Sequence, residues 1–253
     1  MGVAALSLET KGFGATAIGQ QALENQNFTT ATDSFNTAVG FFAGNDVTTG
    51  DQNTLVGSLS GDALTVGNKN TTLGYTTLSA DTKGDRAVAI GVAALQSQNF
   101  TTSTDNYNIG VGAFAGGAVT TGIENTIIGG LAGDALTDAD FNTAVGQGAL
   151  STDTLGSKST AIGQNALSAQ NFTTATDSFN TAVGFRAGFA ITTGVNNTLI
   201  GAIAGDALTD GIKNVAVGQN ALGADTQGDN SVAIGSNALQ AQNGVNGNVY
   251  NVG

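Results

Sequence analysis

Residues Asn36 to Gly57 read NTAVGFFAGNDVTTGDQNTLVG, and a short apolar or β-branched run ends on glycine twice in this stretch. The step recurs along the whole chain as Val, Ile or Leu followed by Gly. We call these glycines the marker glycines: Gly19, Gly40, Gly57, Gly74, Gly91, Gly112, Gly129, Gly146, Gly163, Gly184, Gly201, Gly218 and Gly235.

The marker glycines define coils of two lengths. The interval from Gly19 to Gly40 is a 21-residue coil, and three 17-residue coils follow it and end at Gly91. This order of four coils occurs three times in succession. Such regularity is typical of stacked coils. The sequence therefore predicts one continuous repeat array over residues 1–253, with a 72-residue super-repeat of four coils.

The run before each marker glycine is too short for a helix and has no 3.6-residue period, so it predicts a strand. A coil of either length has room for short strands and turns. The predicted fold class is all-β, a parallel β-roll (β-solenoid) in which each strand pairs with its equivalent in the next coil. We expect the Val, Ile or Leu before the marker, and the small residue three positions after it, to face inward.

Two polar or small positions also repeat. The residue ten positions after the marker is Gly in all but one of the 17-residue coils, and we expect a turn with positive φ there. The residue four positions before the marker is Asn in nine coils, which predicts a ladder of stacked amides. The ladder comprises Asn36, Asn53, Asn70, Asn108, Asn125, Asn142, Asn180, Asn197 and Asn214.

A compensation between columns indicates close packing. The fourth residue after the marker is either Leu or Gly, and where it is Gly an apolar residue stands three positions further on, as with Gly44 and Val47. Some coils of the Leu type carry an aspartate at that further position: Asp81, Asp153 and Asp225. We therefore expect one large apolar side chain, the plug, to fill the interior of each coil, at a position that depends on the coil type.

The composition excludes several classes of function. The 253 residues include no Cys, Pro, His or Trp, so thiol nucleophiles, histidine acid–base pairs and zinc sites of the usual kinds are absent. We expect no enzyme activity, no catalytic residues, no cofactor and no metal. The net charge of −12 argues against nucleic acid as a partner, and no apolar stretch is long enough for membrane insertion.

The repeat resembles two known families. The motif N-T-A-V-G-x-x-A-[G/L]-x-x-x-T-T-G-x-x-N-T-x-[V/I]-G occurs at Asn36 to Gly57, at Asn180 to Gly201 and, with NIGV for NTAV, at Asn108 to Gly129. It resembles the repeats of phage tail-fibre-domain proteins. It is also similar to the head repeats of trimeric autotransporter adhesins of the YadA type, whose hallmark string SVAIG stands here at Ser231 to Gly235.

The resemblance implies a left-handed roll assembled as a homotrimeric fibre. It implies an extracellular location, on a virion tail fibre or on a bacterial cell surface. The expected function is a structural and adhesive fibre segment that gives reach, stiffness and attachment to a receptor or host surface. The low fraction of charged residues, 10%, also predicts weakly polar faces that suit contact with identical chains. We expect either a segment of a longer fibre or a subunit that stacks end to end.

The 21-residue coils carry inserts with paired aromatic residues: Phe28 with Phe35, Phe100 with Tyr107, and Phe172 with Phe179. One interpretation is a set of protruding loops that contact a cell-surface glycan or protein receptor. The other is that the aromatic rings fold back and cover the loop. The inserts contain aspartates such as Asp105, and the string Gly-Asp-Ala-Leu-Thr (GDALT), which occurs three times, contains others such as Asp62. We interpret both sets as solvated turn residues rather than cation ligands.

The sequence is also compatible with two other functions. A recurring Thr, at the eighth position after the marker, and the Thr30-Ala31-Thr32 string resemble the rows of an ice-binding β-solenoid. A glycan-cleaving tailspike would need two carboxylates about 5–9.5 Å apart in a cleft. The uniform coil lengths do not favour such a cleft.

Overall fold

The computed structural model describes residues 2–242, 247, 248 and 250–253, and these residues form strands and turns without a helix. The prediction of an all-β parallel β-solenoid is confirmed, with about thirteen turns. The chain divides into two compact units, Met1–Glu124 and Asn125–Gly253. The two units are built alike.

The first unit holds ten short strands. They are β1 (Gly12–Phe13), β2 (Thr16–Ile18), β3 (Thr32–Asp33), β4 (Thr37–Val39), β5 (Thr54–Val56), β6 (Thr71–Leu73), β7 (Gly84–Asp85), β8 (Val88–Ile90), β9 (Thr104–Asp105) and β10 (Ile109–Val111). Strands β2, β4, β5, β6, β8 and β10 form one parallel ladder in this order, with equivalent residues side by side. The two-residue strands pair separately, β1 with β3 and β7 with β9.

The second unit repeats this arrangement. Its strands are β11 (Thr126–Ile128), β12 (Thr143–Val145), β13 (Gly156–Ser157), β14 (Thr160–Ile162), β15 (Thr176–Asp177), β16 (Thr181–Val183), β17 (Thr198–Ile200), β18 (Val215–Val217), β19 (Gly228–Asp229), β20 (Val232–Ile234) and β21 (Gly247–Asn248). Strands β11, β12, β14, β16, β17, β18 and β20 form the parallel ladder. The short pairs are β13 with β15 and β19 with β21.

The interior of each unit is narrow, and only the middle residue of each three-residue strand points inward. Ala38, Leu55 and Ala144 occupy this position and are fully buried. The small residue three positions after the marker, for example Ala43, is buried as expected. The Val, Ile or Leu before the marker instead points outward, in contrast to the expectation from the sequence. Successive strand side chains alternate between faces, so burying the middle residue turns its neighbours to the surface.

The marker glycines meet two backbone requirements. All of them have φ between +122° and +145°, a region that is essentially restricted to glycine. They also stack closely along the coils: a Cβ atom on Gly146 would lie 2.6 Å from both the carbonyl carbon and the oxygen of Gly163. The strict recurrence of glycine at this position therefore follows from conformation and from space together.

The glycine ten positions after the marker has a different role from the one expected. Gly50, Gly67 and Gly211 do not have a positive φ. A Cβ atom on Gly67 would lie 2.5 Å from the oxygen of Gly84, and one on Gly211 would lie 2.6 Å from the oxygen of Gly228. Glycine is needed here because successive coils approach closely, and not because the chain turns through a left-handed conformation.

The two coil types fill the same interior space in two ways. Leu23 and Leu78, at the fourth position after their markers, are fully buried, and so are Val47 and Leu64 of the Gly-type coils. A Cβ atom on Gly44 would lie 2.6 Å from Leu55 Cδ1 and 3.1 Å from Leu23 Cδ2. The neighbouring side chains thus occupy the space that a larger residue would need. The prediction of one buried apolar plug per coil agrees with these contacts.

Candidate functional site

One exposed apolar feature is the outward column of Val, Ile and Leu residues, which we call the apolar column. In the first unit it comprises Ile18, Val39, Val56, Leu73, Ile90 and Val111. In the second unit it comprises Ile128, Val145, Ile162, Val183, Ile200, Val217 and Ile234. None of these side chains is buried, and those of Ile18 and Leu73 are about half exposed. Phe41 and Tyr75, each two positions further along the chain than a column residue, are also exposed. Contiguous exposed apolar surface of this kind is typical of an interaction site.

The aromatic pairs of the inserts are divided between the interior and the surface. The first members, Phe28, Phe100 and Phe172, are buried. The second members are exposed, at 59% for Phe35, 50% for Tyr107 and 52% for Phe179. The first ring of each pair therefore folds inward and the second is exposed, and contact of the exposed rings with a receptor stays a prediction.

The exposed aromatics of two inserts lie beside charged side chains. Arg86 Nε donates a hydrogen bond to Asp105 Oδ1 at 2.6 Å, and its guanidinium lies 5.5 Å from the centre of the Tyr107 ring. In the second unit, Lys158 Nζ lies 2.5 Å from Asp177 Oδ2 and 5.4 Å from the centre of the Phe179 ring. Each of these inserts thus presents an aromatic ring, a cation and a carboxylate together at the surface.

A buried polar path anchors each insert. Asp81 is fully buried, and its carboxylate accepts hydrogen bonds from Gln98 Nε2 at 2.6 Å, from the amide of Gly84 at 2.9 Å and from the amide of Phe100 at 3.1 Å. Gln98 in turn accepts from Asn108 Nδ2 at 2.9 Å. Burial raises the pKa of Asp81, against the effect of these donors.

The same path recurs in the second unit with Asp153, Gln170 and Asn180. Sequence reasoning missed it, although a signal was present. Each of these aspartates stands at the seventh position after a marker, in the coil that precedes an insert, and each of these glutamines stands at the seventh position after the next marker.

The nine asparagines of the predicted ladder are all buried, and they occur in three runs of three successive coils, separated by coils with Ala87 and Ser159 at this position. Their hydrogen bonds go mainly to the backbone: Asn53 Nδ2 donates to the oxygen of Gly67 at 2.8 Å, and Asn53 Oδ1 accepts from the amide of Asn70 at 2.9 Å. Direct amide–amide bonds occur in the second unit, from Asn197 to Asn180 at 3.3 Å and from Asn214 to Asn197 at 3.2 Å. Each asparagine therefore links one coil to the next.

The recurring threonines at the eighth position after the marker, which we call the Thr column, also connect coils. Thr48 Oγ1 donates to the oxygen of Thr65 at 3.0 Å, Thr65 Oγ1 donates to the oxygen of Thr82 at 2.9 Å, and Thr137 Oγ1 donates to the oxygen of Thr154 at 3.0 Å. These hydroxyl protons are used within the chain. They are therefore not free to donate to an external ligand.

The aspartates of the GDALT strings are partly buried, and burial raises the pKa of Asp62, Asp134 and Asp206 above the ordinary value of 3.8. Asp46 raises the pKa of Asp62 further, whereas Arg186 acts in the opposite direction on Asp206. One oxygen, Oδ1, of both Asp62 and Asp134 is buried without a hydrogen-bond partner. The described residues contain no group of three or more acidic side chains that could hold a metal ion.

These aspartates predict a pH dependence of stability. A carboxyl whose pKa is higher in the folded state binds its proton more tightly there than in the unfolded chain, so stability falls as pH rises through that range. We expect the free energy of unfolding, measured by urea denaturation, to increase as pH is lowered from neutrality toward the ordinary aspartate value of 3.8. The triple variant Asp62→Asn, Asp134→Asn, Asp206→Asn should have a flatter pH profile. A wild-type profile that falls on acidification would contradict this assignment.

Among the described residues, no helix is long and apolar enough to span a membrane. No protein-family model, no curated protein and no solved structure matches this chain. The surface geometry of the two units and the resemblance of the repeat motif therefore indicate the function.

Proposed function

We propose that the chain is a structural and adhesive segment of an extracellular homotrimeric fibre, either a phage tail fibre or a bacterial surface adhesin. Its 17-residue and 21-residue coils form a left-handed roll that gives reach and stiffness, and its exposed side chains attach the fibre to a receptor or host surface. In this proposal the chain is either one segment of a longer fibre or a subunit that stacks end to end. The apolar column is the observation that carries this proposal.

The geometry of the apolar column favours a copy of the same chain as its partner. One apolar side chain per coil gives a ridge that repeats at the strand spacing of about 4.8 Å. A partner surface fits along many rungs only if it repeats at the same spacing, and a second copy of this chain meets that condition. Cyclic symmetry around an axis lets three copies bury their columns together. The number three comes from the resemblance to trimeric fibres.

The contacts between coils support a role in stiffness. Backbone ladders, the asparagine ladder and the Thr column each bond one coil to the next, as in the bonds of Asn53 to Gly67 and Asn70 and of Thr48 to Thr65. Bending a unit would lengthen several of these bonds at once. The internal use of the Thr hydroxyls does not favour the ice-binding alternative.

Charged substitutions in the apolar column test the proposal. In the variant Val56→Lys with Val145→Lys, both lysines remain hydrated in a single chain, but burying them against another copy is costly. We expect the solution mass to fall from three chains to one, while the circular dichroism of the strands is retained. The control, Thr29→Lys with Thr173→Lys, adds the same charge at exposed insert positions. It should keep the mass of three chains.

An unchanged trimeric mass in the Val56→Lys, Val145→Lys variant would exclude the apolar column as the subunit contact. A monomeric control would mean that added positive charge, and not its position, breaks the assembly.

A further inference from the structure

A second exposed column lies at the corner of each coil, at the fifth position before the marker glycine, and we call it the corner column. In the first unit it comprises Gly14, Phe35, Gln52, Lys69, Arg86, Tyr107 and Glu124. In the second unit it comprises Phe141, Lys158, Phe179, Asn196, Lys213 and Asn230. Within each unit these residues lie in adjacent coils: the amide of Lys69 donates to the oxygen of Asp51 at 3.0 Å, and the amide of Arg86 donates to the oxygen of Asn68 at 3.0 Å.

All residues of the corner column have a left-handed backbone, with φ between +48° and +75°. This conformation suits Gly and Asn and is costly for bulky side chains. Gly14, Asn196 and Asn230 occupy the same position, so the fold itself does not need a large residue there. Yet the column contains Phe, Tyr, Lys and Arg side chains, and none of them is buried. The left-handed conformation itself belongs to the coil geometry, because Phe42 and Leu59, outside the column, have it too. The aromatic and basic side chains of the column, however, contribute no core packing, and this points to a role in binding.

The corner column contains four basic residues and one acidic residue, Glu124. Lys69, Arg86, Lys158 and Lys213 are four of the seven basic residues in a chain of net charge −12. In the part of the chain that the structure describes, Lys69 and Lys213 have no carboxylate partner, whereas Arg86 and Lys158 are paired with Asp105 and Asp177. The cations stand among exposed aromatic rings. Lys69, Arg86 and Tyr107 follow one another on consecutive coils, and so do Phe141, Lys158 and Phe179.

We propose that the corner column binds a carboxylate-bearing polysaccharide that lies along successive coils. The unpaired lysines bind carboxylates of the glycan, the aromatic faces stack against the C–H groups of sugar rings, and Asp105 and Asp177 accept hydrogen bonds from sugar hydroxyls. This inference rests on the adhesive part of the proposed function, and it names the class of ligand. It does not depend on the number of subunits.

The charges around the column favour a glycan over a nucleic acid. Duplex DNA carries one negative charge per about 1.7 Å, and binding it takes many cations on one surface. Here each unit offers two cations in the corner column, and one of the two is paired with an aspartate. Those aspartates would repel phosphate groups, whereas they can accept hydrogen bonds from hydroxyl groups. A polysaccharide with one carboxylate and several hydroxyls on each sugar ring has fewer charges per unit length than duplex DNA and matches this surface better.

Binding of the full chain to polygalacturonate tests the proposal, with its neutral methyl ester and a single-stranded oligonucleotide as comparison ligands. We expect the wild type to bind polygalacturonate more tightly than either. The variant Lys69→Asn with Lys213→Asn should bind roughly tenfold more weakly, a change that corresponds to about 1.4 kcal/mol. The matched control, Lys11→Asn with Lys83→Asn, removes the same charge outside the column and should bind as the wild type does.

A second pair, Phe35→Asn with Phe179→Asn, tests the aromatic contacts and should also weaken binding to polygalacturonate by roughly tenfold. Asn suits the left-handed corner, so we expect neither column variant to lower the melting temperature.

The proposal is overturned if the wild type does not bind polygalacturonate, if it binds the oligonucleotide more tightly, or if the Lys11→Asn, Lys83→Asn control loses as much affinity as the column variants. A column variant that also loses the mass of the assembly would make the column a subunit contact and overturn the proposal too. A trimer that does not bind the glycan would contradict this inference and leave the fibre proposal standing.

Discussion

Replacing Gly146 with alanine is expected to lower the free energy of unfolding by about 2–6 kcal/mol. Two costs add at this marker glycine. Its φ of +132° is strained for any residue with a Cβ atom, and the new Cβ would lie 2.6 Å from the backbone of Gly163 in the next coil. Backbone atoms cannot move aside as a flexible side chain can, so the coils must separate locally. Urea denaturation at a fixed chain concentration measures the loss.

Gly235 provides a matched control, because it separates the two costs. Its φ is +125°, close to that of Gly146, but no atom of the described residues lies within 4 Å of a Cβ at this position. Gly235→Ala should therefore show only the conformational cost, about 1–3 kcal/mol. Equal losses in the two variants would mean that the close approach between coils contributes nothing to the requirement for glycine.

Replacing Asn53 with alanine is expected to lower the free energy of unfolding by about 2–5 kcal/mol. The side chain is fully buried, donates to the oxygen of Gly67 at 2.8 Å and accepts from the amide of Asn70 at 2.9 Å. Alanine leaves the oxygen of Gly67 and the amide of Asn70 buried without these partners, and each unpaired group costs about 1–3 kcal/mol. The same urea denaturation measures the effect.

Two further variants show whether the hydrogen bonds are responsible. Asn53→Asp keeps the shape and the acceptor but places a second oxygen against the oxygen of Gly67. Because burial and this contact raise the pKa of the new carboxyl, the variant should be unstable at pH 7 and regain stability at acidic pH, where the proton can be donated. Gln147→Ala removes an exposed amide that accepts from Gln164 at 3.0 Å, and its effect should be within about 0.5 kcal/mol. An Asn53→Ala variant as stable as Gln147→Ala would contradict the role given to the ladder.

Much of the fold could be predicted from the sequence because the glycine spacing fixes which residues are equivalent in successive coils. The pairing of Thr37 with Thr54 and of Thr143 with Thr160 follows directly from that spacing. The exchange of Leu and Gly at the fourth position after the marker likewise indicated which side chains are buried. Where Gly replaces the buried Leu, an apolar residue three positions further on fills the same space.

The direction of the strand side chains could not be predicted in the same way. A three-residue strand such as Thr37–Val39 allows either face to be buried, and hydrophobicity favoured Val39 over Ala38. The structure buries Ala38, because the interior is too narrow for a large residue at every position. The exposure of Val39 and its equivalents is the feature on which the proposed assembly depends.

The inserts were only partly predictable for a related reason. Phe100 is buried and Tyr107 is exposed, although both are large aromatic residues and their side-chain types do not indicate which one faces inward. The distinction comes from the backbone: Tyr107 has φ of +50° and lies at the corner, while the amide of Phe100 is held by the buried carboxylate of Asp81. That carboxylate is itself a tertiary feature, since its partners Gln98 and Phe100 belong to the next coil.

The solution mass of the purified chain, measured by light scattering over a range of concentrations, tests the central claim most directly. The proposed fibre segment predicts a single species with three times the chain mass of 24.9 kDa. A monodisperse species of one chain mass at high concentration would contradict the account, because the apolar column would then be a solvent-exposed surface without a partner copy.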